Sequence, residues 1–469
     1  MAEENDEAAG SRAHDGCGPR RCHVLLFPLP YQGHITPMFR LAGVLHSRGF
    51  AITVFHTHFN APDPAHHPRY RFVPVPDDGT TGAPGDGIKG VVAHVVALGG
   101  ACEAAFRTRL SAVLEECYSR DDAVACLVAD AHLPEMVGVA NALGVPALTL
   151  RTGSAACFAG FLAFPTFCDK GYVPVQNDAE AEMELPELPP YRVRDLMHFR
   201  ADGFDKAREL LARAVAAVKA SSGLILNTFD ALEGPELAGL RRDLSIPVFD
   251  VGPLHVFSPA ADSSLLRQDA SCLAWLDAWP ADSVLYVSLG SLASMSPRDL
   301  VETAWGIAAS GVPFLWVLRP GLVKGEQQQQ QLPDGFEAAT RGRGLMVDWA
   351  PQEEVLRHGA VGGFWTHSGW NSTTESACAG VPMLCRPSFG DQRGNAAYVE
   401  RVWRAGFELE GELERGGVEA AVRRLMVEED GNEMRARAAE LKRAAEECVC
   451  GDGSSCLAID KLVAHITSR

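Results

Sequence analysis

At 469 residues, with 47% apolar and 22% charged side chains, the chain has the balance of a soluble globular protein and the length for two domains of ordinary size. Sixty acidic against 42 basic residues leave a formal net charge of −18, which argues against nucleic acid or an anionic membrane as the main partner. Thirteen cysteines form no C-x-x-C pair, and the nearest cluster, "CVCGDGSSC" at 448–456, lacks paired zinc ligands, so free thiols in a reducing compartment are expected.

Residues 1–20 carry no apolar segment of the secretory kind and are expected to form a disordered tail on a cytoplasmic protein. The longest uncharged run, Thr152–Cys168, is shorter than a membrane span and is interrupted by Pro165, so no stable membrane insertion is expected. From residue 21 onward, strand-like and helix-like segments alternate. "HVLLF", "AITVFHT", "YRFVPV", "AVACLVAD" and "PALTLR" are apolar without strict alternation, as strands buried on both faces are. The first helix is read over "TPMFRLAGVLHSRG", with Thr36 as N-cap, Pro37 at the first helical position and Gly49 as its stop. That reading leaves His34 in the first β-to-α turn, at the carboxyl edge of the sheet, where open α/β folds hold ligands. Asp130 ends the strand "ACLVAD" at the same edge.

"GDGIKG" at 85–90 fits the G-x-G-x-x-G pattern of an NAD-dependent oxidoreductase, but it does not follow its strand directly and reads as a mobile loop. "RTGSAACFAGFLAFPTF" supplies Phe158, Phe161, Phe164 and Phe167, and "LPPYRVRDLMHF" supplies Leu196, Met197 and Phe199, as candidate lining for a small hydrophobic molecule. An aperiodic Ser/Ala/Asp-rich stretch at 255–271 reads as a linker, after which the α/β pattern restarts. "EQQQQQ" at 326–331 reads as an exposed loop, and the last segment as an amphipathic helix with a serine cap. The expected fold is therefore α/β, with two Rossmann-like, doubly wound parallel-sheet domains facing across a cleft. The first spans 21–254, the second spans 272–452, and a helix at 453–469 packs back on the first.

The densest chemistry lies at 349–392, "WAPQEEVLRHGAVGGFWTHSGWNSTTESACAGVPMLCRPSFGDQ". Within it "AVGGFWTH" is a strand, Gly369 gives a tight turn, and "WNSTTESACA" is a helix stopped by Gly380 and Pro382. Free backbone N–H groups and the helix dipole make such a turn an anion site, and His367, Asn371 and Ser372 add donors suited to a diphosphate. Ser372 and Glu375 also have capping-box spacing. "THSGW" lacks the first glycine of the G-x-S-x-G hydrolase motif, and Asn371-Ser372-Thr373 matches a glycosylation sequon only incidentally.

This stretch resembles, from end to end, the donor-binding box of the plant family 1 UDP-sugar glycosyltransferases. "QGHITPM" resembles that family's N-terminal catalytic motif, and "YVSLGS" (286–291) resembles the start of its second domain. The resemblance implies a GT-B fold and an inverting glucosyltransferase in which His34 is the general base and Asp130 its partner carboxylate. It implies that Trp349 stacks on uracil, that Ala350 contacts the base edge through its backbone with Gln352 nearby, and that Glu375 holds the ribose hydroxyls. It makes Ser291 a phosphate contact, places Trp370, Asp391 and Gln392 on the sugar hydroxyls, and brings Thr152 to the sugar from the first domain. Gly33 would let the backbone approach the donor closely. Glutamine at 392 matches members that prefer UDP-glucose over UDP-galactose. "HFNAPDP" (58–64) resembles members acting on hormone, terpenoid and benzoxazinoid-type acceptors. The partners it implies are a UDP-sugar donor bound by the second domain and a small hydrophobic acceptor bound by the first, with a monomeric chain. With no D-x-D pair near the donor turn and no H-E-x-x-H, no metal is expected, and His367, hydroxyls and the helix dipole are left to stabilise the departing UDP. A non-catalytic sugar-nucleotide binder is the alternative; it would need no paired His34 and Asp130.

Overall fold

Apolar runs of four to eight residues form most of two all-parallel sheets. The structure is a computed structural model that describes residues 21–77, 87–197, 200, 203–258, 264–323 and 332–468. The expected tail, the glutamine run and Phe199 lie outside the described residues. The first sheet contains β1 (Cys22–Phe27), β2 (Ala51–His56), β3 (Arg71–Pro74), β4 (Ala123–Asp130), β5 (Ala147–Arg151), β6 (Leu224–Leu226) and β7 (Val248–Asp250). Its order is β3-β2-β1-β4-β5-β6-β7. The second contains β8 (Val284–Ser288), β9 (Phe314–Val317), β10 (Gly344–Val347), β11 (Val361–Thr366), β12 (Met383–Cys385) and β13 (Gly406–Glu408), in the order β10-β9-β8-β11-β12-β13. Every residue of β5, β8, β9 and β11 is buried, as their unbroken apolar character requires.

The first helix departs from its expected start. Helix α1 covers Gln32–Ser47, with Tyr31 at its N-cap, so Thr36 and Pro37 lie inside it. The N–H groups of His34 and Ile35 both reach the Tyr31 carbonyl and close the first turn ahead of the Thr-Pro pair, and Thr36 accepts from the Gln32 amide at 2.7 Å instead of capping. Gly49 does end the helix, at φ +92°. Helix α2 (Gly87–Ser119) replaces most of the loop expected around "GDGIKG". Its Lys89–Ser119 portion is long and apolar enough, by those two measures, to cross a membrane. Here Val92, Val95, Leu98, Phe106, Leu110 and Val113 are instead packed into the core beneath the first sheet. Helices α3 (Pro134–Ala142) and α4 (Ala155–Asp169) follow β4 and β5. In the second half, the helix Trp370–Ala379 follows β11 and ends at Gly380 in the left-handed conformation.

The final helix, Ser454–Thr467, starts behind Gly453, which has no side chain to cap it, so the expected serine cap is absent. Its Ala458, Ile459, Leu462 and Ile466 complete the core around Val24, Leu26, Leu148 and Phe249 of the first sheet. The two halves are also joined directly: the Trp403 indole donates to the Leu232 carbonyl at 3.2 Å, and Arg401 pairs with Asp195 at 2.6 Å.

Candidate active site

Both sheets reverse their strand order beside their first strand, between β1 and β4 and between β8 and β11. Loops leaving such neighbouring strands diverge and open a crevice. The segment after β1 brings His34, and β4 itself ends at Asp130; the segments after β8 and β11 bring Ser291 and His367. A cavity of about 760 Å³ lies between them and is lined by His34, His132, Thr152, Ser291, Trp349, His367, Asn371, Glu375, Asp391 and Gln392, among others.

On the first-domain side, His34 Nδ1 lies 2.7 Å from Asp130 Oδ2. His34 is the third residue of α1, so a helical turn rather than a loop holds it. Burial alone would push the Asp130 carboxyl up, but the charge of His34 and hydrogen bonds from His132 and His34 outweigh it and hold the group well below the ordinary range. The Thr152 hydroxyl oxygen lies 3.0 Å from the same Nδ1, which it supports as a second acceptor. Pro37 has no N–H to offer the carbonyl four residues back, that of Gly33. Asn371 of the opposite domain takes that place, its Nδ2 donating to Gly33 O at 3.0 Å. A Cβ on Gly33 would meet nothing within 4 Å, so this strip of backbone lies open to the cavity.

On the opposite side, the tight turn expected at Gly369 is made by Ser368, at φ +63°. Its N–H donates to Thr366 Oγ1 and its carbonyl accepts from Asn395, both at 3.0 Å. Gly369 is needed for space: a Cβ there would come within 2.5 Å of His367 Nε2, and a Cβ on Gly290 would meet the same ring at 2.5 Å. Desolvation of this ring, with Arg319 nearby, pushes its pKa down to about 4. His367 therefore faces the turn as a neutral ring. The N-terminal N–H groups of the helix Trp370–Ala379 remain.

The box side chains divide between ligand and scaffold. The Trp370 indole N–H donates to Asn227 O at 2.9 Å across the domain boundary, so the indole is part of the scaffold. Gln392 Oε1 accepts from the N–H groups of Ser388 and Phe389 at 2.7 and 3.0 Å, which fixes the amide so that its Nε2 is the free end. Asp391 sits beside Gly153 of the first domain, where a Cβ would approach its carboxylate to 2.9 Å. Trp349 and Ala350 line the cavity next to Gln352. Gln352 Nε2 donates at 2.8 Å both to Ser372 Oγ and to Glu375 Oε2. The capping box does not form, because Gly369 is the N-cap and Ser372 lies within the helix.

Sequence reasoning missed two residues. Arg40, on α1 and only 3% exposed, donates to Glu375 Oε1 at 2.9 Å and also pairs with Glu353. A charged residue inside the apolar run "PMFRLAGVL" was the available signal. His132 lies two residues beyond Asp130, and its backbone N–H and Nδ1 both reach Asp130 Oδ1 at 3.0 Å. His34, Asp130 and His132 are also the set among the described residues whose ligand atoms lie closest to a metal-binding arrangement, within 4.8 Å of one another. The expected acceptor lining is largely corrected. Phe158, Phe161, Phe164, Phe167 and Leu196 are core residues and do not reach this cavity, because α4 turns its aromatic face toward the interdomain core. Among the described members of that group only Met197 lines it; on the first-domain side it is joined by Leu29, Leu210 and the Val91, Val92 and Val95 face of α2.

Residues 260–442 match the family described as UDP-glucoronosyl and UDP-glucosyl transferase. A DIMBOA UDP-glucosyltransferase of Zea mays, BX8, is 49% identical over 442 residues, covering 92% of this chain and 95% of its own. A Polygonum tinctorium UDP-glucosyltransferase capable of glucosylating indoxyl superposes with a TM-score of 0.81 at 28% identity, covering 96% of this chain and 100% of its own. Phytolacca americana UGT2, in complex with UDP-2fluoro-glucose and pterostilbene, superposes at 0.79 with 28% identity, covering 95% and 100%. With its two facing parallel sheets and a cavity at both strand-order reversals, this chain belongs to the plant family 1 UDP-glycosyltransferases, enzymes of GT-B fold.

Proposed function

We propose that the protein transfers glucose from UDP-glucose to a hydroxyl of a small plant metabolite, in one displacement that inverts the anomeric carbon. The observation that carries this reading is the 2.7 Å contact between His34 Nδ1 and buried Asp130, in a cavity shared with the donor helix. Asp130 keeps the proton on Nδ1, so Nε2 is the base. As the acceptor oxygen bonds to C1, its proton passes to Nε2, the C1–oxygen bond to UDP breaks, and the electron pair leaves on the diphosphate. His34 then becomes an imidazolium beside a carboxylate that is already charged.

For the donor, Trp349 stacks on uracil, Ala350 meets its edge, and Glu375 with Gln352 holds the ribose. Ser291, His367, Asn371, Ser372 and the helix N-terminus hold the diphosphate without a metal ion. Thr152, Asp391, the Trp370 backbone and Gln392 Nε2 take the glucose hydroxyls. The acceptor lies against Val91, Val92, Val95 and Met197; the maize relative's name makes DIMBOA the first acceptor to try. A cytoplasmic monomer fits the acidic, cysteine-bearing composition.

The test is His34→Ala with an aliphatic alcohol as acceptor, because an acidic phenol ionises unaided. A positioned base contributes about 10²–10⁴-fold, so kcat should fall by at least about 100-fold while UDP binding holds. Retention of near-full kcat would remove His34 from the mechanism. UDP-glucose should give a higher kcat/KM than UDP-galactose, and turnover should survive EDTA; loss on chelation with recovery on adding Mg²⁺ would overturn the metal-free donor site.

A further inference from the structure

Asp130 holds two histidines, and the transfer reaction uses one. Its Oδ2 faces His34 Nδ1 at 2.7 Å, and its Oδ1 faces His132 Nδ1 at 3.0 Å. An ionised carboxylate only accepts hydrogen bonds, so both Nδ1 atoms carry protons and each neutral ring keeps a bare lone pair on Nε2. Burial pushes the His132 pKa down to about 4 against the pull of Asp130, which keeps this second ring neutral.

The ring is not needed to hold Asp130 in place, since the His132 backbone N–H already reaches the same oxygen at 3.0 Å. His132 lines the cavity, and the hydrogen bond its ring makes, to Asp130, runs through Nδ1 and leaves Nε2 out of it. The nearby walls, Leu29, Val91, Val92, Val95 and Met197, are apolar. An acceptor nitrogen beside such walls gives a bound ligand a polar anchor among mainly apolar contacts. The two rings stand nearly perpendicular, with centroids 5.5 Å apart. Two hydroxyls on adjacent carbons, each one hydrogen bond of about 2.8 Å from its own nitrogen, suit two rings held this close together.

We propose that His132 is a specificity-determining residue that receives a hydrogen bond from a second hydroxyl adjacent to the one glucosylated, so that the site selects acceptors with vicinal O–H pairs. This rests on His34 being the base for the first hydroxyl.

The test pairs catechol with phenol, and trans-1,2-cyclohexanediol with cyclohexanol, using kcat/KM with UDP-glucose and, for a probe that binds without turnover, the dissociation constant in the presence of UDP. The wild-type protein should favour each diol by about tenfold or more. His132→Phe should bring both ratios within about threefold of unity, whatever common change in turnover the loss of its bond to Asp130 brings, and His132→Gln, which can place a carbonyl oxygen near the Nε2 position, should restore part of the preference. UDP binding by each variant separates a folding failure from a specificity change. No diol preference in the wild-type protein, or an equal fall for diol and mono-ol in His132→Phe, overturns the proposal. His34→Ala keeps the two readings apart: it should lower kcat on every acceptor and leave the diol preference in binding intact.

Discussion

Glu233 is fully buried at the kink of the helix Asp230–Asp243, where its two oxygens accept from the N–H groups of Ala155 and Ala156 at 2.9 Å and so cap α4. Burial raises its pKa from 4.5 to about 7 even against those bonds. The folded state therefore binds this proton more tightly than the unfolded chain, and its contribution to stability is full below about pH 4.5 and is lost as pH rises to about 7. Glu233→Gln should flatten that part of the stability curve, measured by urea denaturation at a series of pH values; an unchanged slope would show the proton is not held there. His132 and His367, each pushed down to about 4, act with the opposite sign and lose stability as pH falls below about 6.5. At this scale the pair His34 and Asp130 was legible because each ends or follows a recognisable strand. Arg40 was not, since its partner Glu375 lies 335 positions away and nothing local in either segment names the other.

The break that Pro37 makes in the backbone ladder of α1 is what exposes the Gly33 carbonyl to Asn371. Pro37→Ala should return the missing N–H and stabilise α1, since proline in a helix interior costs about 3 kcal/mol. The carbonyl would then be shared, and losing up to about 1 kcal/mol of the interdomain bond corresponds to roughly a fivefold rise in the UDP-glucose KM. A higher melting temperature with a weaker donor KM is the expected pair of results; a variant improved in both would show that the carbonyl plays no part in joining the domains. The Thr-Pro pair misled the reading of this helix because it imitates a helix start. The long strands were legible from their apolar runs, whereas β6, β7 and β13 have three residues each, too few for any period to show. Helix α2 was hidden by the glycine-rich stretch that opens it.

Across the whole molecule, Arg40 is the only described cation that touches both Glu353 and Glu375, and it reaches them from the other domain. Removing one member of a buried ion pair costs about 3–5 kcal/mol, so Arg40→Met should weaken UDP-glucose binding by about 100-fold or more, read by calorimetric titration. The double variant Arg40→Met/Glu353→Met should recover part of that loss, because it removes one of the two facing carboxylates. If the single variant binds UDP-glucose normally, closure of the cleft does not depend on this contact. The arrangement of two facing sheets could be read from the repeat of the strand pattern. The contacts that set one domain against the other could not, because each joins segments that are distant in the chain and individually ordinary.

The last helix supplies Ala458, Ile459, Leu462 and Ile466 to a core whose other members belong to the first sheet and its helices. Synthesis runs from the amino end, so the part of the molecule made first is completed last. At about 5–20 residues per second, residues 251–453 occupy the ribosome for roughly 10–40 s while Val24, Leu148 and Phe249 wait without their cover. Chains arrested before Ser454 should be cut readily by protease within the first sheet and should bind chaperones, while full-length chains should not. The first half of this protein is thus apprenticed to a fourteen-residue helix made about 200 residues after it, and its birth as a folded body waits for Ser454–Thr467 to arrive.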